Sequence, residues 1–316
     1  MLLEMIVLIG LVGEIPNTTN SALELSSEPA YHFPPASRCE IVPLEVRKNR
    51  VLAGVQIGGA PERQFLVDNG FYDTAISPDL INEVGFSASG EKLANSSRHR
   101  RVPHTLGTVE RLRFGDLTFE NAPVMTSPLI KQFSREIKKR IHGVIGMRLM
   151  SSFLTTVDLA RERLVLRPLD AAAREELLSR PGTAVLQFKP HPWKKTSTHL
   201  FTVEIEIDGK KVDAFVDMGY HGGILTTLRP NELGTWRNQP RESFDVAIAG
   251  FRGRGVRVWA RDVSIGGLEG GPTALTYFRA AGAPSFAILG VDFIKRFEVT
   301  FDFERRELIL HRSSSD

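Results

Sequence analysis

The sequence predicts an all-β protein with short helices, built as two related halves around a pair of aspartates. Three observations carry this. The triplets Asp68-Asn69-Gly70 and Asp217-Met218-Gly219 lie 149 positions apart, each ending an apolar run. Each run follows the same local pattern of strand, glycine-containing turn and strand. Downstream segments recur at a constant offset, because Gly146 to Gly290 and Asp158 to Asp302 are both 144 positions. Order and spacing repeat together, which reads as an internal duplication.

Arg50 to Ile57 alternates in the manner of a strand, Gly58-Gly59-Ala60-Pro61 reads as a turn, and Gln64 to Val67 leads into Asp68. In the second half Leu200 to Ile207, the turn Asp208-Gly209 and Lys211 to Val216 lead into Asp217. Glycine suits the tight turn after each aspartate because it tolerates φ > 0. Further on, Gly143 to Met147 matches Ala287 to Val291, and Phe153 to Asp158 matches Phe297 to Asp302. Arg163 to Leu166 likewise matches Glu307 to Leu310.

These motifs give each half the look of a retropepsin-like lobe. The pair resembles the two-lobed retropepsin-like/pepsin-like aspartic protease family, in its bacterial form, over roughly residues 41 to 312. Val144-Ile145-Gly146 and Ile288-Leu289-Gly290 correspond to the apolar strand that crosses beneath the aspartate loop in that family. The resemblance implies two acid-protease lobes related by a pseudo-twofold axis. It also implies Asp68 and Asp217 as the catalytic pair, with Asn69, Gly70, Met218 and Gly219 in the active-site loops. The family's triplet is Asp-Thr-Gly, and its threonine hydroxyls brace one loop against the other. Asn69 and Met218 stand in their places. Asn69 retains a donor and an acceptor, whereas Met218 offers only a weak thioether acceptor. On this reading the lobe-two brace is missing, and Asn69→Thr with Met218→Thr raises turnover. Phe71 and Tyr220 are bulkier than the family's residues after the triplet.

The chain of 316 residues is long enough for about two domains. With 42% apolar and 24% charged residues it has the composition of a soluble globular protein. A net charge of +3 is small for this length and gives no footing to a nucleic-acid partner. The sole cysteine, Cys39, excludes an intramolecular disulfide and leaves the redox compartment open. Residues 1–13 form an apolar run too short for a stable membrane span. It reads either as the h-region of a signal peptide, which makes the chain periplasmic or secreted, or as an apolar first strand of a cytoplasmic chain. Glu4, standing where a basic residue is usual, argues against the signal. Residues 14–39 are rich in Ser, Thr, Asn and Pro and read as a linker.

The division expected is an N-terminal segment and linker over 1–40, a first lobe over 41–168, a connector over 169–183 and a second lobe over 184–312. In the first lobe, Ser77 to Gly85 reads as a short helix with Pro78 at its first position. Ser87 to Arg101 occupies the place of the family's flap over the cleft, and Arg98-His99-Arg100-Arg101 reads as a solvated hairpin tip. Val109 to Phe119 forms a hairpin turning at Gly115-Asp116, and Phe133 to Ile141 is a basic, helical stretch. Leu169 to Ser179 has strong helix formers and stops at Arg180-Pro181-Gly182. Val246 to Val258 is the counterpart flap. Gly266 to Pro272 lacks the Lys-Ser/Thr of a phosphate loop and reads as a turn.

Two aspartates at close range cannot both ionise, so one keeps a proton. The ionised member takes a proton from water attacking a peptide carbonyl, while the other supports the developing oxyanion. No metal, cofactor or covalent intermediate is required. His191 and His199 do not have a metal-site spacing, and His221, four positions after Asp217, reads as a loop histidine with a pH-tuning role as the lesser alternative. Asp158 and Asp302 read as turn or edge carboxylates, and Cys39 lacks a catalytic framework. Two functions stand open. One is an aspartic endopeptidase acting on polypeptide through Asp68 and Asp217. The other is a protease-like protein that binds a peptide or partner without cutting it, favoured by Asn69 and Met218. Either is expected as a monomeric two-lobed chain.

Overall fold

The computed structural model describes residues 5–7, 31–32, 39–97, 100–190, 201–228, 232, 242–248, 251–278 and 286–313. Arg98, His99, His191, His199 and most of the 14–39 stretch lie outside the described residues.

Each half folds through the same sequence of strand neighbours. In the first, Arg50–Ile57, Arg63–Val67, Gly143–Ile145, Thr74–Ile76, Leu117–Thr126, Arg100–Phe114 and Ser87–Ser97 lie side by side in that order. In the second, Phe201–Ile207, Lys210–Val216, Ala287–Leu289, Ile224–Thr226, Thr273–Phe278, Phe251–Ala260 and Glu242–Ile248 repeat it. The short apolar strands Gly143–Ile145 and Ala287–Leu289 are central. Each runs parallel to the strand carrying its aspartate and antiparallel to the strand that follows the aspartate loop. Both neighbours are buried, so these segments are apolar throughout rather than alternating. The Lys210–Val216 hairpin turns at Asp208 and Gly209, both at positive φ of 49° and 78°, as a two-residue turn between right-twisted strands requires.

A six-strand run joins the halves: Ala184–Gln187, Glu307–Arg312, Phe297–Asp302, Leu154–Asp158, Arg163–Arg167 and Glu40–Arg47. Its centre pairs Thr155 with Phe301, Thr156 with Thr300 and Val157 with Val299. Thr156 and Thr300 are 144 positions apart, and their hydroxyls meet at 2.7 Å. A residue thus faces its own counterpart at this point, and the local twofold axis passes between the two hydroxyls. Asp158 and Asp302 are not edge groups, as both are fully buried within this run. They do serve turns, accepting the N–H groups of Arg161 at 3.2 Å and Arg305 at 2.9 Å. Arginines neutralise them: Arg161 and Arg163 lie 3.1 and 3.0 Å from Asp158, and Arg174 lies 3.5 Å from Asp302. A buried carboxylate needs such partners.

The helices differ from the sequence expectation in extent. The first runs Leu129–Ile137, not Phe133 to Ile141, and buries Ile130, Phe133 and Ile137 at helical spacing. It stops because Lys138 turns left-handed at φ 52° and the Ser134 hydroxyl takes the Ile141 N–H at 3.0 Å. Ser77 to Gly85 holds only a single 3-10 turn, Pro78–Leu80, with no side-chain cap from Ser77. The connector helix Ala171–Leu178 is capped by the Asp170 carboxylate, which accepts the Ala173 N–H at 2.7 Å. Its Arg174 pairs with Glu307 as well as Asp302, which fastens the connector to the shared sheet.

Both expected flaps are long antiparallel hairpins, Ser87–Ser97 with Arg100–Phe114 and Glu242–Ile248 with Phe251–Ala260. From the apolar N-terminal run, Met5–Val7 pairs in parallel with Val246, Ala247 and Ile248. No helix of the described residues is long and apolar enough to cross a membrane.

Candidate active site

Asp68 and Asp217 each follow the last residue of a buried strand, and parallel pairing to the central apolar strand fixes where the chain turns. The Asp68 N–H donates to the Ile145 carbonyl at 3.1 Å, and that of Asp217 to the Leu289 carbonyl at 2.9 Å. The loops then close alike: Phe71 N–H donates to the Asp68 carbonyl, and Tyr220 N–H to the Asp217 carbonyl. Each carboxylate also turns one oxygen back on its own loop. Asp68 Oδ1 accepts the Gly70 N–H and Asp217 Oδ1 accepts the Gly219 N–H, both at 2.8 Å. The remaining oxygens, Asp68 Oδ2 and Asp217 Oδ2, are buried without a hydrogen-bond partner among the described residues.

Gly219 brings the two acids together. Its N–H holds Asp217, and its Cα lies flat against the other lobe's Asp68. A Cβ built there would stand 2.6 Å from the Asp68 carboxyl carbon and nearer still to its oxygens. Only glycine permits that approach.

The electrostatics follow from this burial. Desolvation pushes Asp68 up to about 7, against the opposing pull of the Gly70 N–H and Arg50. Asp217 is raised well above the ordinary carboxylate range, first by burial and then by the charge of Asp68. The pair titrates as one unit, and once the first proton is lost the like charge holds the second more tightly.

The loop braces are one-sided. Asn69 Nδ2 donates to the Val216 carbonyl at 2.6 Å, and Asn69 Oδ1 accepts the Met218 N–H at 2.8 Å. A single lobe-one amide therefore makes two cross-lobe bonds, while the Met218 side chain is buried in the main apolar core. Phe71 and Tyr220 do not crowd the acids. Phe71 packs edge-on against Phe133, 5.9 Å between centroids, and the Tyr220 hydroxyl bonds Thr276 inside lobe two. His221 is half-buried beside Tyr220 and is pushed down to about 4 by burial, Arg50 and Arg257. It is uncharged over most of the range in which the acids hold their proton.

All six residues expected in the loops thus lie in one buried cluster. One member was not anticipated. Arg50, buried to 5% exposure, donates from Nη1 to the Gly219 carbonyl. Its only sequence signal is a cation at the head of a mostly apolar strand, just after Arg47 and Lys48. Cys39 is partly buried. No group of three or more metal-ligating side chains occurs among the described residues.

Residues 53–149 match the family model described as aspartyl protease, a span that includes Asp68 and the Gly143–Ile145 strand. Over that span the chain is similar to aspartyl proteases. Among solved structures it is similar to basic 7S globulin from soybean, at 12% identity and a TM-score of 0.55, over 88% of this chain and 95% of that one. Identity this low shows the fold alone, and that fold is the pepsin-like two-lobed one. A search of curated proteins gave no match. The aspartic protease-like match by sequence thus rests on lobe one, and the likeness of lobe two rests on its strand order and its Asp217 loop.

Proposed function

We propose that the chain is an aspartic endopeptidase in which Asp68 and Asp217 activate water against a peptide carbonyl. The observation that carries this is the shared contact at Gly219, which anchors Asp217 by its N–H and lies against Asp68 by its Cα. Two dry carboxylates so arranged retain one proton, which supplies a general base and a general acid in one site. The ionised member takes a proton from water as the water oxygen attacks. The protonated member donates to the developing oxyanion, and a proton then passes to the leaving amine. The Ser87–Ser97/Arg100–Phe114 hairpin supplies a strand edge for an extended polypeptide, whereas in the Glu242–Ile248/Phe251–Ala260 hairpin Met5–Val7 covers Val246 to Ile248 and leaves the edge at 242–245.

The test is hydrolysis of denatured casein from pH 3 to 7, with and without a statine-type inhibitor, by wild type, Asp68→Asn and Asp217→Asn. Wild-type turnover that rises as the pair loses its first proton toward pH 7, abolished in each folded variant, is the expected result. Near-wild-type turnover in either variant places the chemistry elsewhere. A second reading, peptide binding without hydrolysis, is favoured by the one-sided brace, in which Met218 gives only a backbone N–H. It wins if wild type binds extended peptides and cuts none.

A further inference from the structure

Arg50 opens the Arg50–Ile57 strand of lobe one, yet its guanidinium reaches the aspartate loop of lobe two. An arginine buried to this degree needs strong compensation for the water it loses. Part comes from the Gly219 carbonyl, which accepts from Nη1. The rest is charge. Burial lowers its proton affinity, and Glu136, Asp68, Asp217 and Tyr220 oppose that loss. Glu136 faces it from the Leu129–Ile137 helix, the aspartates from the two loops, and Tyr220 and His221 from the segment after Asp217. Gly219 is therefore held at all three backbone points: N–H on Asp217, Cα against Asp68, carbonyl on Arg50.

Resting on the proposed activity, we infer that Arg50 is a positioning residue that fixes the Gly219 loop and, as the buried cation beside the aspartate pair, sets the pH range over which the pair holds one proton. It touches no reacting atom in this role. With one shared proton, the pair carries a single negative charge, which Arg50 balances. Without Arg50 both proton losses are opposed more strongly, and both occur at higher pH. The sign is fixed by the charge of the missing group.

Arg50→Gln keeps an N–H donor for the Gly219 carbonyl and removes the charge, whereas Arg50→Lys keeps the charge and loses the planar fork. Casein hydrolysis across pH 3 to 10 should show both limbs of the Arg50→Gln profile moved about one pH unit or more to the alkaline side. The Arg50→Lys limbs should stay in place, with reduced kcat. Superimposed profiles for wild type and Arg50→Gln overturn the charge role, and so do limbs moved equally in both variants. Should Arg50→Gln fail to fold, Arg50→Lys decides alone: unmoved limbs support the inference and moved limbs overturn it. Should wild type prove inactive, the same comparison is read from 13C NMR titration of labelled aspartate carboxyls. Their resonances are assigned with Asp68→Asn and Asp217→Asn. An alkaline shift of both titrations in Arg50→Gln upholds Arg50 even where the peptidase reading has failed.

Discussion

Asn69 crosses the lobe interface and holds Met218 by its backbone, its Oδ1 accepting the Met218 N–H at 2.8 Å. The same amide donates to the Val216 carbonyl at 2.6 Å, so one side chain fastens the lobe-two loop on both sides of Asp217.

Asn69→Ala leaves a buried N–H and a buried carbonyl without this partner. Destabilisation on the order of 2–4 kcal/mol is expected from two such losses, together with a fall in turnover of more than tenfold. Met218→Leu keeps the N–H and nearly the same apolar volume, so it should cost less than about 1.5 kcal/mol. Denaturant unfolding and casein hydrolysis of both variants check this. Equal damage from the two would refute the one-sided brace. Met218→Thr, which the family pattern recommends, places a hydroxyl in apolar core here and is expected to lower stability without raising turnover.

Gly219→Ala drives a methyl group into the Asp68 carboxylate. Asp68 must then move, and displacement of a catalytic group by about 1 Å costs on the order of 100-fold in rate. Gly70→Ala is the paired measurement, since Gly70 donates to its own lobe's acid. Wild-type turnover in a folded Gly219→Ala protein would refute the close approach.

The raised proton affinity of Asp68 makes stability pH-dependent in a defined direction. The folded state keeps a proton up to about pH 7 that the unfolded chain releases near its ordinary carboxylate value. This contribution is therefore fully present at low pH and is lost as pH rises through about 4 to 7. Asp68→Asn removes it and should stabilise the protein at pH 7.5 by on the order of 2–4 kcal/mol, with little gain at pH 4. Melting temperatures of both proteins at the two pH values decide the matter. A variant no more stable than wild type at pH 7.5 contradicts it.

The axis hydroxyls couple. Thr156 Oγ1 contacts Thr300 Oγ1 at 2.7 Å and accepts from Arg167 Nη1 at 3.0 Å. Each single change to valine leaves its partner hydroxyl without that bond and should cost about 1–3 kcal/mol. The double Thr156→Val/Thr300→Val variant should lose less than the sum, by about 0.5–1.5 kcal/mol, because no stranded hydroxyl remains. Strict additivity in urea unfolding would show the contact to be energetically empty.

The sequence by itself determined what is local and repeated. Strand, turn, strand and Asp-x-Gly are read from alternation and glycine, and finding that order twice defines the two lobes and places Asp68 and Asp217. Helix limits shifted where a tertiary contact intervened, as when the Ser134 hydroxyl takes the Ile141 N–H and ends the helix at Ile137. Only the tertiary structure decided what crosses between lobes: Thr156 on Thr300, Asn69 on Met218 and Arg50 on Gly219. Those pairs are 144, 149 and 169 positions apart, and no periodicity within either partner encodes the other. An arginine that opens a strand straight after the polar residues Arg47, Lys48 and Asn49 reads as a strand end in contact with water. It becomes part of the site only because the second lobe adds the Gly219 carbonyl and the Asp217 carboxylate to the Asp68 and Glu136 charges of its own lobe, and that full compensation does not exist until both lobes have folded.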